Sequence, residues 1–517
     1  MRYINGSGKN TPTSVSVTGN ILTITLGTND SGIVSATAQD ALQAVVANPA
    51  AAALVAKISP AAITMGITGQ SALPGAKPTA HFNVKDYGAV GDNQTINTEA
   101  FQRALDACDK AGGGEVVVPE GNYLTGSIEL HSNTTLRLEK GVFVIETASI
   151  DQYPLITGRF EGATTQVHRG LIFASKANHI TIAGPGGFVA NSSIARLRNP
   201  RAPVVVETVD CNDVTFDGFN IQYDLPVGTN IWCIHPLYCT NLTVKGLYIR
   251  SQGTNGDGID IDSCAKVLVQ DCDISAGDDA ISIKSGRGMD AVRIGKPTED
   301  VVIKDSILRS TKFAAIGFGT EISGGVRNIS VSNCTISGVQ NAIFIKSRDG
   351  RGAIMENITL DNITVDKSPT FVGIDLISKG IQASEPVPGD VEKWTLVRNL
   401  TFKNIKVNDV AKLVETQASR ATAAIVGGPG VPPERPIDGF SLSNITGTCG
   451  SGITLANVIN ANFNGINVTG FTGRLLNLTN VKGTGLDDPT KAAGNPPSAA
   501  APAATGDKSV NPVSTAP

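Results

Sequence analysis

The chain has 517 residues, of which 41% are hydrophobic and 17% charged, with a net charge of −4. That supplies enough apolar material for a large core, offers no basic stripe for nucleic acid, and contains no apolar run of about 18 residues, so neither a nucleic-acid partner nor a membrane span is expected. The opening Met1-Arg2-Tyr3-Ile4-Asn5-Gly6 lacks the apolar stretch of a signal peptide.

Aromatics make up only 5% of the chain and glycines number 56, which suits a β-rich fold with many tight turns. Residues 1–36 alternate apolar and polar side chains, as in Ser14-Val15-Ser16-Val17 and Ile21-Leu22-Thr23-Ile24, and read as short strands around a Gly19-Asn20 turn. Residues 37–57 are Ala-rich, with Leu42, Val45 and Val46 at helical spacing, interrupted by Pro49. Residues 1–65 therefore form a small accessory module, and the Gly/Pro/Ala-rich residues 66–80 a linker. The module resembles parts of phage tail and other surface proteins; a simple N-terminal cap is the plainer alternative.

A different pattern begins at His81. Phe101, Leu105 and Cys108 share one helical face, so the spacing predicts a helix over 98–110 with Thr98 as its N-cap. Short alternating strands then recur, starting at Asn212, Asn241, Lys266, Asp300, Asn328, Asn357 and Asn399, at intervals of 29, 25, 34, 28, 29 and 42 residues. Repeats of this length with no helix between them predict an all-β fold, a right-handed parallel β-helix over 81–486 with residues 98–110 as its N-terminal capping helix. Asn-x-Ser/Thr recurs at matching places in the coils, which favours stacked side-chain ladders over glycosylation. Residues 487–517 are rich in Pro, Ala and Gly and read as a disordered tail. The eight cysteines form no C-x-x-C pair and only five histidines exist, so no zinc site is expected; buried free thiols are favoured over disulfides.

One stretch carries the chemistry. Asn255-Gly256-Asp257-Gly258-Ile259-Asp260-Ile261-Asp262 is followed by Gly277-Asp278-Asp279-Ala280-Ile281-Ser282-Ile283-Lys284. If the chain repeats about every coil, Asp257 lies beside the Asp278-Asp279 pair. Crowded carboxylates push each other's pKa values apart, which lets one site hold an acid and a base at one pH. For Asp260 and Asp262 turn capping or a supporting role is preferred.

Together with Val84-Lys85-Asp86-Tyr87-Gly88, Trp232-Cys233-Ile234-His235-Pro236 and Glu321-Ile322-Ser323-Gly324-Gly325, this stretch resembles the polygalacturonase family, family 28 of the glycoside hydrolases, particularly its bacterial branch. The resemblance covers about 81–410. It implies an inverting hydrolase of a pectic, galacturonic-acid-containing polysaccharide, with Asp278 as general acid and Asp257 and Asp279 holding and deprotonating water. It implies no cofactor and no metal, an acidic plant cell-wall polysaccharide as partner, and a monomeric, secreted or periplasmic protein. His235, Asn255, Lys284, Lys346 and Arg348 are the expected substrate-binding residues, the cations as partners for a uronate carboxylate.

The chain departs from the family's pattern in its later coils. No histidine follows His235, no tyrosine follows Tyr248, and Phe344-Ile345-Lys346 stands where the family carries Arg-Ile-Lys. A rhamnogalacturonan-type hydrolase of the same family is one alternative. A phage-type protein that binds or depolymerises glycan is another, and a calcium-dependent lyase-like β-helix enzyme a third.

Overall fold

The computed structural model describes residues 80–487 except 192, 196, 198, 224–231, 379–393 and 417–428, together with 2–5, 12–18, 21–26, 44 and 48. The chain divides into two compact units, Met1–Ala80 and His81–Pro517. In the first, strand Ile21–Leu26 pairs in parallel with Arg2–Asn5 and antiparallel with Ser14–Thr18. Most of the Ala-rich run at 37–57, the linker before Ala80 and the tail after 487 lie outside the described residues.

The second unit is a parallel β-helix. The central coils contribute three short strands each, and each strand pairs with its counterpart one coil on: Ile259–Asp262 with Ile281–Lys284, Ala265–Gln270 with Thr298–Lys304, and Asp273–Ala276 with Ile307–Ser310. Period-2 alternation points every second side chain inward. In the first of these sheets Ile259 and Ile261, Ile281 and Ile283, Ile316 and Phe318, and Ile343 and Ile345 stack in the core, all fully buried. A single coil has no second layer to cover these side chains, so stacking supplies it, at roughly 1.5–3 kcal/mol per buried large apolar side chain.

The recurrent Asn and Asp have a backbone reason. Asp213, Asn241, Asp300, Asn328, Asn357 and Asn399 all have φ between 53° and 59°, the left-handed region that short polar side chains tolerate best. Their side chains stack between coils: Asn328 Nδ2 donates to Asp300 Oδ1 at 3.0 Å, Asn357 to Asn328 at 3.0 Å and Asn399 to Asn357 at 2.9 Å. The ladders expected from the sequence are thus present, built of Asn amides. All eight cysteines are buried and free.

Helix α1, Thr98–Lys110, lays Phe101, Ala104, Leu105 and Cys108 into the core. Its N-cap is Asn97 rather than the expected Thr98, and the Asn97 side chain makes no cap bond because its Oδ1 accepts from Val90 N. Two further features escaped the repeat pattern. Leu155–Phe160 and Ala163–His168 form an antiparallel hairpin, and Gly288–Ile294 forms a short helix, α2.

Candidate active site

The aspartate-rich stretch occupies two successive coils of one sheet. Ile259 pairs with Ile281, an offset of 22 residues, so Asp279 rather than Asp278 stands over Asp257; Gly258 N donates to Asp279 O at 3.0 Å. Carboxylate oxygens of Asp257, Asp278 and Asp279 lie within 4.8 Å of one another, and all three residues are buried. Asn255, held at φ 59°, donates its backbone N–H to Asp278 Oδ2 at 3.0 Å. Asp279 Oδ1 accepts from Ala314 N at 3.0 Å, and Lys346 Nζ donates to its Oδ2 at 2.8 Å. Ser282 Oγ lies 2.9 Å from Asp279 Oδ2 and 3.1 Å from Asp257 Oδ2. Gly317, paired with Ser282 one coil on, leaves room for this: a Cβ there would fall 2.2 Å from Asp279 Oδ2.

Burial and crowding set the titration of the group. Burial, then Asp260 and Asp278, push the Asp257 carboxyl well above the usual carboxylate range. Burial and Asp279 raise Asp278. Burial raises Asp260 to about 6 in spite of the Lys284 ammonium beside it. For Lys284 and Lys346 burial pulls downward, but their carboxylate neighbours win and keep both firmly protonated.

The expected binding residues fall into two groups. Lys346, partly buried, and Arg348, whose Nε donates to Thr320 Oγ1 at 3.4 Å, lie on strand Asn341–Arg348 beyond Asp279. Asn255 acts through its backbone, on Asp278. His235 and Lys284 lie deeper, among buried charges. His235 is fully buried, with Nδ1 3.5 Å from Glu207 Oε1 and Nε2 3.6 Å from Asp262 Oδ2, and with its ring against Trp232 at 4.9 Å. Lys284 is buried too, its Nζ 2.8 Å from Asp260 Oδ1, 3.9 Å from Asp257 Oδ2 and 3.9 Å above the Trp232 ring, so its charge is directed into the protein.

Beneath the aspartates runs a buried charge network. Arg201 pairs with Glu207 at 2.8 Å, Glu207 faces His235, His235 faces Asp262, and Arg159 pairs with Asp262 at 2.7 Å. Burial resists ionisation of Asp262 and His235, yet Arg159 and His235 hold Asp262 down at about 2, and Asp262 and Glu207 hold His235 above its ordinary value. Asp262 is thus bound to Arg159 and His235, and Asp260 to Lys284. Glu321 is buried as well; burial would raise its carboxyl, but Lys284, Arg351 and Lys346 keep it low. Sequence reasoning missed Ser282, Arg159, Arg201 and Glu207. Ser282 carried a signal, as the outward-facing position between Ile281 and Ile283.

The three clustered carboxylates have donor atoms of the kind that could hold a hard cation. Lys346 already occupies Asp279 Oδ2, and Lys284 stands near Asp257, so the cluster carries cations of its own. Chemically it offers a carboxyl disposed to stay protonated, Asp278, beside a carboxylate held by a lysine and a backbone amide, Asp279. That combination serves general acid and base work.

The model of glycosyl hydrolases family 28 matches residues 108–406, more than half of the chain. A probable polygalacturonase of Vitis vinifera is 27% identical over 70% of this chain and 73% of its own length. An exo-poly-alpha-D-galacturonosidase of Dickeya chrysanthemi is 22% identical over 64% of this chain and 67% of its own. Among solved structures, the exopolygalacturonase of Thermotoga maritima is 25% identical with a TM-score of 0.58, over 78% of this chain and 92% of that one. The family 28 exopolygalacturonase of Yersinia enterocolitica is 19% identical with a TM-score of 0.67, over 79% of this chain and 78% of that one, and shares the fold.

Proposed function

The chain belongs to family 28 of the glycosyl hydrolases, and from that premise we propose that it hydrolyses a pectic polygalacturonan, with Asp278 as general acid and Asp257 and Asp279 holding the attacking water. The observation that carries the reading is the cluster of three buried carboxyls within 4.8 Å of one another, and the division of roles among them is the one the family implies. Asp278 is pushed toward its protonated form by burial and by Asp279. Asp279 receives Lys346 Nζ at 2.8 Å and Ala314 N at 3.0 Å. An acid that gives its proton to the leaving oxygen and a base that takes one from water are what glycoside hydrolysis requires.

Substrate contacts follow from the same sheet. Lys346 is the cation beside Asp279 and the choice for a uronate carboxylate, with Arg348 two residues on. Phe313 and Phe344 lie 5.7 and 5.4 Å from Lys346 Nζ and are half-buried, which suits them to pack against the apolar face of a sugar ring. The names of the relatives support polygalacturonan as the polymer, and a rhamnogalacturonan is the second substrate to test. An acidic cell-wall polymer is met outside the cytoplasm, which supports a secreted or periplasmic protein, and the three aspartates all come from one chain, which fits a monomer. No helix among the described residues is long and apolar enough to cross a membrane.

The course of reaction is inversion, which the family implies. The carboxylates here approach within 4.8 Å, closer than the roughly 6.5–9.5 Å usual for inverting pairs, so the first-formed product anomer is the informative measurement. Proton NMR during early turnover of an alpha-linked oligogalacturonide should show the beta anomer first; the alpha anomer first would overturn inversion. Reducing-end release from polygalacturonate, compared with Asp278→Asn, tests the whole reading. The variant should fold and lose at least about a thousandfold in kcat, and full turnover by a folded variant would reject it.

A further inference from the structure

Ser282 is the outward-facing residue directly before Ile283 on the strand that follows Asp279, and it is fully buried. Its Oγ lies 3.1 Å from Asp257 Oδ2 and 2.9 Å from Asp279 Oδ2. A serine hydroxyl has one proton to donate. One proton cannot make two full, near-linear bonds, so two ordinary bonds at 2.9 and 3.1 Å call for one of the two carboxyls to carry a proton and donate it to Oγ.

The surroundings decide which. Asp279 also receives Lys346 Nζ on Oδ2 and Ala314 N on Oδ1, so three donors converge on it. Asp257 Oδ1 is buried with no hydrogen-bond partner among the described residues. Its nearest cation, Lys284, is 3.9 Å away and sits closer to Asp260, at 2.8 Å. The charged groups facing the pair are Asp260 and Lys284 on the two paired strands, Asp278 at the turn, and Lys346 from a later coil. A second full negative charge on Asp257 would add repulsion from Asp260, Asp278 and Asp279 in a buried setting.

We infer that Ser282 is a positioning residue that ties Asp257 and Asp279 into a pair sharing one proton, with Asp257 in the acid form donating to Ser282 and Ser282 donating to an ionised Asp279. The inference rests on the hydrolase reading above and divides its two water-holding carboxyls into unequal partners. Asp279 is then the base. As the water oxygen bonds to the anomeric carbon and the glycosidic C–O bond breaks, the water proton passes to Asp279 and the Asp278 proton passes to the leaving oxygen. The Asp257 proton stays on the Ser282 bridge, and exchange with solvent then returns a proton to Asp278 and removes one from Asp279.

The test is the pH dependence of kcat/KM on polygalacturonate for the unaltered protein, Ser282→Ala and Ser282→Thr, with melting temperatures as a control. Loss of a hydrogen bond donated to the ionised base raises the pKa of that base. The acidic limb of Ser282→Ala should therefore move to higher pH by about one unit, with kcat down on the order of tenfold, KM little changed and the melting temperature close to that of the parent. Ser282→Thr, which keeps the hydroxyl, should restore the limb; Ser282→Gly repeats the deletion without a Cβ should the alanine variant fold poorly. An unmoved acidic limb in a folded deletion variant, or an equal loss in the threonine variant, overturns the inference. An inactive unaltered protein would instead overturn the parent reading, so the two failures are distinct.

Discussion

Arg159 Nη1 lies 2.7 Å from Asp262 Oδ1 although 103 residues separate the two along the chain. The arginine comes from the antiparallel hairpin, outside the regular coils, and is buried to 2% of its side-chain surface; the aspartate belongs to the strand that follows Asp257. The hairpin thereby fastens onto the sheet that carries the catalytic candidates. Arg159 also bonds Ser263 Oγ at 3.0 Å and the Tyr238 hydroxyl, so one guanidinium ties the hairpin to two coils.

Arg159→Met should therefore destabilise the fold by about 3–5 kcal/mol, because it leaves a buried carboxylate with His235 and the Ser263 hydroxyl but without its arginine. Chemical denaturation measures this. Adding Asp262→Asn to the methionine variant should recover part of the loss, since it removes the stranded charge; two independent, additive losses would argue against direct coupling.

The same pair predicts acid behaviour. Asp262 is held at about 2 in the folded protein against an ordinary value of 3.8. A depressed carboxyl stabilises the fold fully above its unfolded pKa, and that contribution disappears as pH falls through the folded one. Stability should drop between about pH 4 and pH 2, and Asp262→Asn should flatten that part of the curve while lowering the whole of it. An equally steep drop in the variant would assign the acid sensitivity to other carboxyls.

Lys346 acts on two aspartates with separable signatures. It donates to Asp279 and lowers the pKa of Asp278. Lys346→Met should reduce kcat by roughly a hundredfold through loss of a charge-assisted bond on the base. It should also shift the alkaline limb of kcat/KM upward, because Asp278 keeps its proton to higher pH. A loss confined to KM, with the limb unmoved, would make Lys346 a substrate contact alone.

Gly317→Ala should cost most of the activity with little effect on folding. The added Cβ would lie 2.2 Å from Asp279 Oδ2, so the carboxylate must swing away from Ser282 and Ala314. Reducing-end assays set against the melting temperature separate the two effects. Near-normal turnover would mean that Asp279 tolerates displacement.

The coils were readable because their signal is local. Strand alternation, and Asn or Asp at each left-handed turn, repeat every 25 to 42 residues from Asn212 to Asn399. The hairpin at 155–168 was not, because nothing in an alternating strand says whether its partner lies one coil on or one turn away. Lys284 and Lys346 looked alike as outward cations near the aspartates, yet one is enclosed by Asp260 and Trp232 and the other stands beside Asp279. Spacing cannot separate them, since the difference lies in what covers each.

The sequence by itself determined the repeating fold, the family and the three aspartates, because a β-helix stacks each coil on the last and so converts spacing along the chain into neighbourhood across it. It did not determine which carboxyl keeps a proton. What bears on that is tertiary: a 22-residue register that sets Asp279 over Asp257, a serine hydroxyl between them, and a lysine delivered from a later coil. Charge states in a buried cluster depend on distances of a few ångströms between groups that the sequence leaves far apart.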